Sequence, residues 1–226
     1  MGNHADRSRS RRRRPRALAL AGSGLAALIL VLGVDGTLAS WTSAVIANDT
    51  NTVATASAVI LREVGPGPQT CLSSSGAGNS STCSTVNKYG GTASPLAPGG
   101  SQTTDVTFTN VGSAPGATFV LTPGACSQSP TAGSGTPPAA NVCTSGDLTV
   151  AISCSNGSSY AAGSAWTDLV YAAGAPGSIP ASLTRTAALA AGATWTCRFT
   201  VALSASASVL AQGITASQPL TWTLNV

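Results

Sequence analysis

Histidine, lysine and acidic residues are all scarce in this chain of 226 residues. The only histidine is His4, the only lysine is Lys88, and charged residues make up 8% of the sequence. A serine or cysteine nucleophile with a histidine base, or a zinc protease built on HExxH, needs histidine in the folded domain. Both classes of enzyme are therefore excluded for the chain beyond its first 39 residues.

The few carboxylates and the lone lysine give no better basis for catalysis. Glycoside hydrolysis needs two carboxylates across a cleft, but Asp105 and Asp147 begin predicted strands, where an aspartate ordinarily supports a turn. Lys88 lies in a loop-like stretch without SxxK spacing, and we expect its side chain to be solvated. The remaining carboxylates beyond residue 39 are Asp49, Glu63 and Asp168. We therefore predict that the chain is not an enzyme and has no cofactor.

Most of the positive charge lies at the N-terminus. Seven of the eleven basic residues fall within residues 7–16, which leaves four basic and five acidic residues beyond residue 39. Nucleic-acid binding needs a basic face that neutralises phosphates. The domain that follows residue 39 lacks that charge, so nucleic acid is excluded as a partner.

The first 39 residues have the three-part order of a secretory signal peptide. The basic run is followed by an apolar run, residues 17–34, which we predict to be a helix, and then by the small residues 37–39. Cleavage is expected between Ala39 and Ser40. The alternative is an uncleaved membrane anchor, because an apolar run of about 18 residues is close to the shortest that spans a bilayer.

Six cysteines lie beyond residue 39, and an even number on the oxidising side of a membrane indicates disulfides. They are Cys71, Cys83, Cys126, Cys143, Cys154 and Cys197. No metal is expected, because the CxxC spacing of structural zinc sites is absent. Cys154 and Cys197 fall on inward faces of predicted strands, so we expect them to bridge two sheets through the core. The other four pair most simply as Cys71 with Cys83 and Cys126 with Cys143, although six cysteines allow fifteen connectivities.

Apolar and polar residues alternate with a period of two through much of the chain beyond residue 39, and no stretch there combines a helical period with caps. Strands are predicted at residues 53–64, 103–110, 117–122, 147–154, 194–203 and 220–226. Short strands with one apolar face each must pack face to face. Residues 40–226 are therefore expected to form one all-β domain, a two-sheet β-sandwich.

Two low-complexity segments, residues 73–81 and 127–140, separate predicted strands. Both are rich in glycine, serine or proline and are predicted to be surface loops. The chain also contains Asn-x-Ser/Thr sequons at Asn48, Asn79 and Asn156. If these sequons were used, they would lie on surface loops.

Several short motifs occur in a characteristic order and spacing. They are GTLASWTS at residues 36–43, VATASAVIL at 53–61, LAPGG at 96–100, DVTFTNVG at 105–112, AQG at 211–213 and LTWTL at 220–224. In this order they resemble the TasA/camelysin family, whose leaders are cut by a SipW-type signal peptidase. Ser43 stands where an aspartate is common, Ala58 replaces a usual glycine, and the cysteines are additional. The resemblance is therefore to a divergent, cysteine-containing branch.

This resemblance implies an immunoglobulin-like or jelly-roll sandwich, exported to the envelope or matrix of a Gram-positive bacterium. Some family members build biofilm fibres by donating an N-terminal strand to the next subunit, which is strand addition at a sheet edge. The donor here would be residues 40–47, beginning at Ser40, with Trp41, Val45 and Ala47 as inward anchors. The alternative is that this segment is a flexible tail or the first strand of its own sheet.

A binding module is the competing functional class. Parity places Trp195 and Trp222 in the core, whereas Trp166 is unassigned and would line a sugar-stacking platform with Tyr160 and Tyr171. The alternative hypothesis is therefore a membrane-tethered surface domain that binds a glycan or a protein partner.

The sequence as a whole favours a secreted or cell-envelope structural protein, a disulfide-braced β-sandwich that self-associates through its N-terminal segment into a matrix or fibre. Camelysin itself is described as a metallopeptidase, but this chain lacks the histidines and the metal-ligand spacing for that activity beyond residue 39. A membrane is involved only through the N-terminal helix, if that helix is retained.

Overall fold

The structure is a computed structural model that describes residues 59–226. Its strands are β1 (Leu61–Val64), β2 (Thr70–Leu72), β3 (Ser101–Asn110), β4 (Thr118–Pro123), β5 (Ser127–Ser129), β6 (Leu148–Asn156), β7 (Ala165–Gly174), β8 (Leu183–Arg185), β9 (Thr194–Leu203), β10 (Thr215–Ser217) and β11 (Leu220–Asn225). The predicted all-β class is confirmed. The predicted signal helix, the cleavage site between Ala39 and Ser40, and the donor segment 40–47 lie outside the described residues.

The strands form two facing sheets and one separate pair. The large sheet has six strands in the order β2-β1-β3-β9-β6-β7, and the small sheet has three in the order β11-β4-β8. β5, which begins the segment predicted as a loop at residues 127–140, instead pairs with β10. All pairings are antiparallel. Because such sheets can bury one face and expose the other, their apolar faces pack together as the predicted β-sandwich.

In strand β9, apolar and polar residues alternate, and the apolar residues form part of the core. Trp195, Cys197 and Phe199 are fully buried on one face, as the period of two predicts. Thr196 on the opposite face is an exception, because it is also buried. Its hydroxyl donates to the Gly157 carbonyl at 2.9 Å, so the turn after β6 lies against that part of the outer face.

Aromatic rings join the two sheets at the centre of the sandwich. The ring centroid of Phe108 in β3 lies 5.2 Å from that of Phe119 in β4 and 4.7 Å from that of Trp222 in β11. Phe119 also packs edge-on against Trp195 of β9 at 4.9 Å. Such pairs contribute about 0.5–1.5 kcal/mol each beyond the area they bury. This cluster therefore fixes where the small sheet lies on the large sheet.

All six cysteines form disulfides in the predicted pairs. The bonds are Cys71–Cys83, Cys126–Cys143 and Cys154–Cys197. The predicted position of the third bond is wrong, however, because Cys154 of β6 lies directly opposite Cys197 of β9 in the large sheet. The bond joins neighbouring strands and does not cross the core. Both cysteines point inward, as predicted. Inward positions alone cannot distinguish a bond between sheets from a bond within one sheet, because directly opposite residues of neighbouring strands share one face.

The segment 73–81 is only partly a surface loop, contrary to the prediction. The buried Ser73 hydroxyl accepts a hydrogen bond from the Leu61 N–H at 2.9 Å and donates to Asn79 Oδ1 at 2.7 Å. The Asn79 amide donates to the Val59 carbonyl at 2.7 Å. These bonds tie the segment to β1. They also bury the Asn79 side chain, so this sequon is not on the exposed surface as predicted.

Loss of the Cys154–Cys197 bond is expected to cost more stability than loss of either other bond. The chain-entropy cost rises with the length of the closed loop, and the sequence separations are 43, 17 and 12 residues. Replacing both cysteines of a pair by alanine should lower the free energy of unfolding by about 4 kcal/mol for the longest loop and about 3 kcal/mol for the shortest. Urea unfolding of the three double variants checks this order, and a reversed order would contradict it.

Candidate functional site

The small sheet ends at β11, which has a strand partner on one side only within residues 59–226. β11 pairs with β4 over its whole length, from Leu220 opposite Pro123 to Asn225 opposite Thr118. No other described strand joins it. An unpaired strand edge presents backbone N–H and C=O groups that can pair with another chain. The free edge of β11 is therefore the first candidate site.

The opposite edge of the small sheet is closed by an ion pair. Arg185 Nη1 of β8 donates to Asp168 Oδ1 of β7 at 3.1 Å, and the Thr186 N–H donates to Asp168 Oδ2 at 3.1 Å. The Arg185 guanidinium also lies 4.4 Å from the centroid of the Trp166 ring. These contacts bind β8 to β7, the outermost strand of the large sheet. The sandwich is thus closed on this side, whereas β11 has a free edge on the other.

Trp166 and Tyr160 do not form the exposed sugar-stacking platform that the sequence predicted. Trp166 is buried, its indole N–H donates to Asn156 Oδ1 at 3.1 Å, and Arg185 lies over its ring. The Tyr160 ring is covered in a similar way by the Arg198 guanidinium, 4.4 Å from its centroid. Trp166 is therefore a core residue, which removes the sugar-stacking role predicted for it.

The large sheet extends laterally past β11. Trp222 of β11 contacts Phe108 of β3 and Phe199 of β9, while β1 and β2 continue the large sheet beyond β3. Among the described strands, the small sheet supplies none beyond β11 to cover β1. The segment 83–98 does so in part, because Val86 packs so closely on Gly65 that a Cβ there would lie 2.8 Å from Val86 Cγ1.

The lysine of this segment is buried, contrary to the prediction that it is solvated. Lys88 Nζ contacts Glu63 Oε1, and the two side chains are 9% and 10% exposed. Glu63 lies on the inner face of β1, in register with Phe108 of β3. A charge at such a place is tolerated only when it is paired. The sequence did contain a signal for the burial of Glu63. Glu63 follows Leu61 by two residues in a predicted strand, and residues two apart in a strand share one face.

A cavity of about 680 Å³ opens beside this ion pair. The segment 83–98 forms one wall, and residues 211–220, which include β10 and the start of β11, form another. Its floor consists of Leu148, Val201 and Leu203 of the large sheet. The motifs at residues 96–100 and 211–213 both contribute to the walls. Two motifs that the sequence separates by more than a hundred residues therefore line one site.

Polar side chains in the cavity walls are held by the protein itself. The Tyr89 hydroxyl donates to Gln218 Oε1 at 2.7 Å, and Gln218 Nε2 donates to two backbone carbonyls at 2.9 and 3.1 Å. Gln102 Nε2 donates to the Tyr89 carbonyl. Burial and, to a smaller extent, the neighbouring Tyr171 raise the pKa of Tyr89 above its usual value. The Tyr89 hydroxyl therefore remains a protonated donor at neutral pH.

The carboxylates within residues 59–226 serve the fold. Asp105 accepts two hydrogen bonds from Arg198, both at 2.8 Å, and Asp147 accepts one from the Ser145 hydroxyl at 2.9 Å. With Asp168 and the buried glutamate, all four described carboxylates have a structural partner. In this part of the chain, no three His, Cys, Asp or Glu residues lie close enough together to hold a metal ion.

Lys88→Met is expected to lower the free energy of unfolding by about 3–5 kcal/mol, because it leaves Glu63 buried and unpaired. Replacing both residues, as in Glu63→Met with Lys88→Met, should restore stability to that of the unchanged chain or above it. Urea unfolding at one pH measures all three proteins. A double variant no more stable than the single one would show that the ion pair is not the source of the loss.

Asp168 is expected to make stability depend on pH. Desolvation raises its pKa, but hydrogen bonds from the Thr186 N–H and Arg185 outweigh it, so the pKa of Asp168 is lowered. The stabilisation is therefore present above the unfolded value of about 3.9 and lost as pH falls through the folded pKa. Asp168→Asn should lower the melting temperature at neutral pH and change it much less at about pH 2. Equal losses at both pH values would contradict this assignment.

No described helix is long and apolar enough to cross a membrane. Comparison of the whole sequence with models of known protein families and with curated proteins finds no match. The features of residues 59–226 that bear on function are the free edge of β11, the buried ion pair and the cavity.

Proposed function

We propose that this chain is a secreted or cell-envelope structural protein that associates with further copies of itself through its N-terminal segment, residues 40–47. The observation that supports this most directly is the free edge of β11, which lies opposite a large sheet that continues past it. Strand addition at such an edge uses backbone hydrogen bonds for affinity and alternate side chains for register.

The donor segment has the pattern that this edge requires. A strand added beside β11 extends the small sheet, and every second side chain of the strand then points toward the large sheet. Trp222 and Leu224 show this alternation in β11 itself, because both are buried. The apolar residues Trp41, Val45 and Ala47 of the donor share one parity, so they would all lie on the inward face.

Low charge and disulfides support the same function. Three disulfides are compatible with an oxidising compartment outside the cytoplasm. Beyond residue 39 the formal charges nearly cancel, so copies of the domain repel one another only weakly. All four described carboxylates are engaged in the fold, which favours a structural protein over an enzyme.

A charge placed on the inward face of the donor should stop assembly. Val45→Asp in the exported protein is expected to abolish concentration-dependent polymers, because burying an unpaired carboxylate against the core is unfavourable. Ala44→Asp is the matched control, since it adds the same charge on the opposite face and should assemble like the unchanged protein. Size-exclusion chromatography across concentrations measures both. Identical behaviour of the two variants would contradict a donor strand with Val45 inward.

Mixing separates donation between copies from completion of a chain's own sheet. Val45→Asp keeps its β11 edge, so a small proportion of it should cap growing polymers of the unchanged protein and shorten them. If residues 40–47 instead complete the sheet of their own chain, the unchanged protein stays monomeric at every concentration. That result would reject the proposal.

Intact mass and N-terminal sequencing decide between a free and a tethered protein. A chain that begins at Ser40 has a free donor segment, as the proposal requires. Retention of the arginines within residues 7–16 would favour the membrane-tethered alternative and leave the donor segment beside the bilayer.

A further inference from the structure

The cavity beside the buried ion pair has the size of a small-molecule site. Its volume of about 680 Å³ lies within the range of about 300–1,000 Å³ typical of ligand pockets. Strand addition at β11 is a backbone interaction and gives this cavity no role of its own.

The cavity carries large apolar side chains that the fold leaves only half-buried. They are Leu96, Leu148, Leu203, Ile214 and Leu220. Leu148 and Leu203 are directed inward and lie opposite each other in the register of β6 and β9. Val201, which precedes Leu203 by two residues in β9 and is nearer to the aromatic cluster, is buried. The inward face of the large sheet is thus covered up to this point and then opens into the cavity, where an apolar ligand would remove further surface from water.

The cavity also lacks net charge. Lys88 is the only described lining residue with a formal charge, and Glu63 neutralises it. An ionised ligand would lose its hydration there without gaining a partner of opposite charge. The chemistry of the walls therefore selects against charged ligands.

We propose that this cavity binds an uncharged small molecule with an apolar body and a polar end. The body lies against Leu148 and Leu203 at the floor and against Leu220 in one wall. The polar end faces the exposed lining residues Thr92 and Ser94, whose hydroxyls can donate and accept hydrogen bonds. This inference does not depend on self-association.

The test uses the exported protein with its disulfides intact and the uncharged fluorescent probe N-phenyl-1-naphthylamine. We expect saturable binding of one probe per chain with a blue-shifted emission, and at least tenfold weaker binding of the anionic probe 8-anilinonaphthalene-1-sulfonate. Ile214 lines the cavity but lies outside β6 and β9. Ile214→Trp should therefore fill the cavity and weaken binding of the uncharged probe at least tenfold. Val209→Trp is the matched control, because Val209 is 74% exposed and does not line the cavity.

Two results would overturn the proposal. The first is the absence of saturable probe binding by a protein that circular dichroism shows to be folded. The second is equal probe affinity in Ile214→Trp and Val209→Trp, which would place the probe elsewhere.

Discussion

Aromatic packing between the two sheets determines the rest of this structure. All three phenylalanines of the chain and three of its four tryptophans are buried in the sandwich. Phe108, Phe119 and Trp222 contact one another, with centroids 4.7–5.2 Å apart, and they belong to three strands in two sheets. This cluster fixes the register of its strands. A shift of one residue would turn the buried rings to the outer face of the sheet and expose their large apolar surface to water. The small sheet therefore lies over β3 and β9, with β8 beside β7.

The two described sheets differ in width, and this difference accounts for three further features of the domain. Within residues 59–226, three strands of the small sheet lie opposite six of the large sheet. The side at β7 and β8 is closed by Asp168 and Arg185, whereas the irregular segment 83–98 packs in part beside β1. That segment carries Lys88, whose charge needs Glu63 as a buried partner. Beside this segment, the inward residues Leu148 of β6 and Leu203 of β9 line the cavity. The free edge, the buried ion pair and the cavity are thus three consequences of one mismatch in strand number.

The alternation of residues predicted the inward faces correctly because burial of one face is a local property with a period of two. It does not specify which strands are neighbours, so it placed the Cys154–Cys197 bond between sheets although both strands belong to one. The burial of Lys88 depended on which segment covers β1, and no periodic pattern in residues 83–98 shows that. Trp166 was unassigned because its own strand, β7, was not predicted. The buried residues Trp166 and Leu169 of β7 are three positions apart, which breaks the period of two. The cavity unites segments that are distant in sequence, so only the folded arrangement shows it.

The free edge of β11 and the cavity, as the two proposed sites, would use different kinds of recognition in a chain with few charges. Electrostatic complementarity, which usually selects partners and suppresses wrong ones, is largely absent beyond residue 39, where the charged side chains that the structure describes are mostly paired within the domain. Backbone groups at β11 give affinity with little sequence preference. If residues 40–47 add to this edge, as we propose, selectivity for them would come from the inward side chains of the added strand. The proposed ligand site has the opposite character, because apolar side chains held by the large sheet would provide its selectivity.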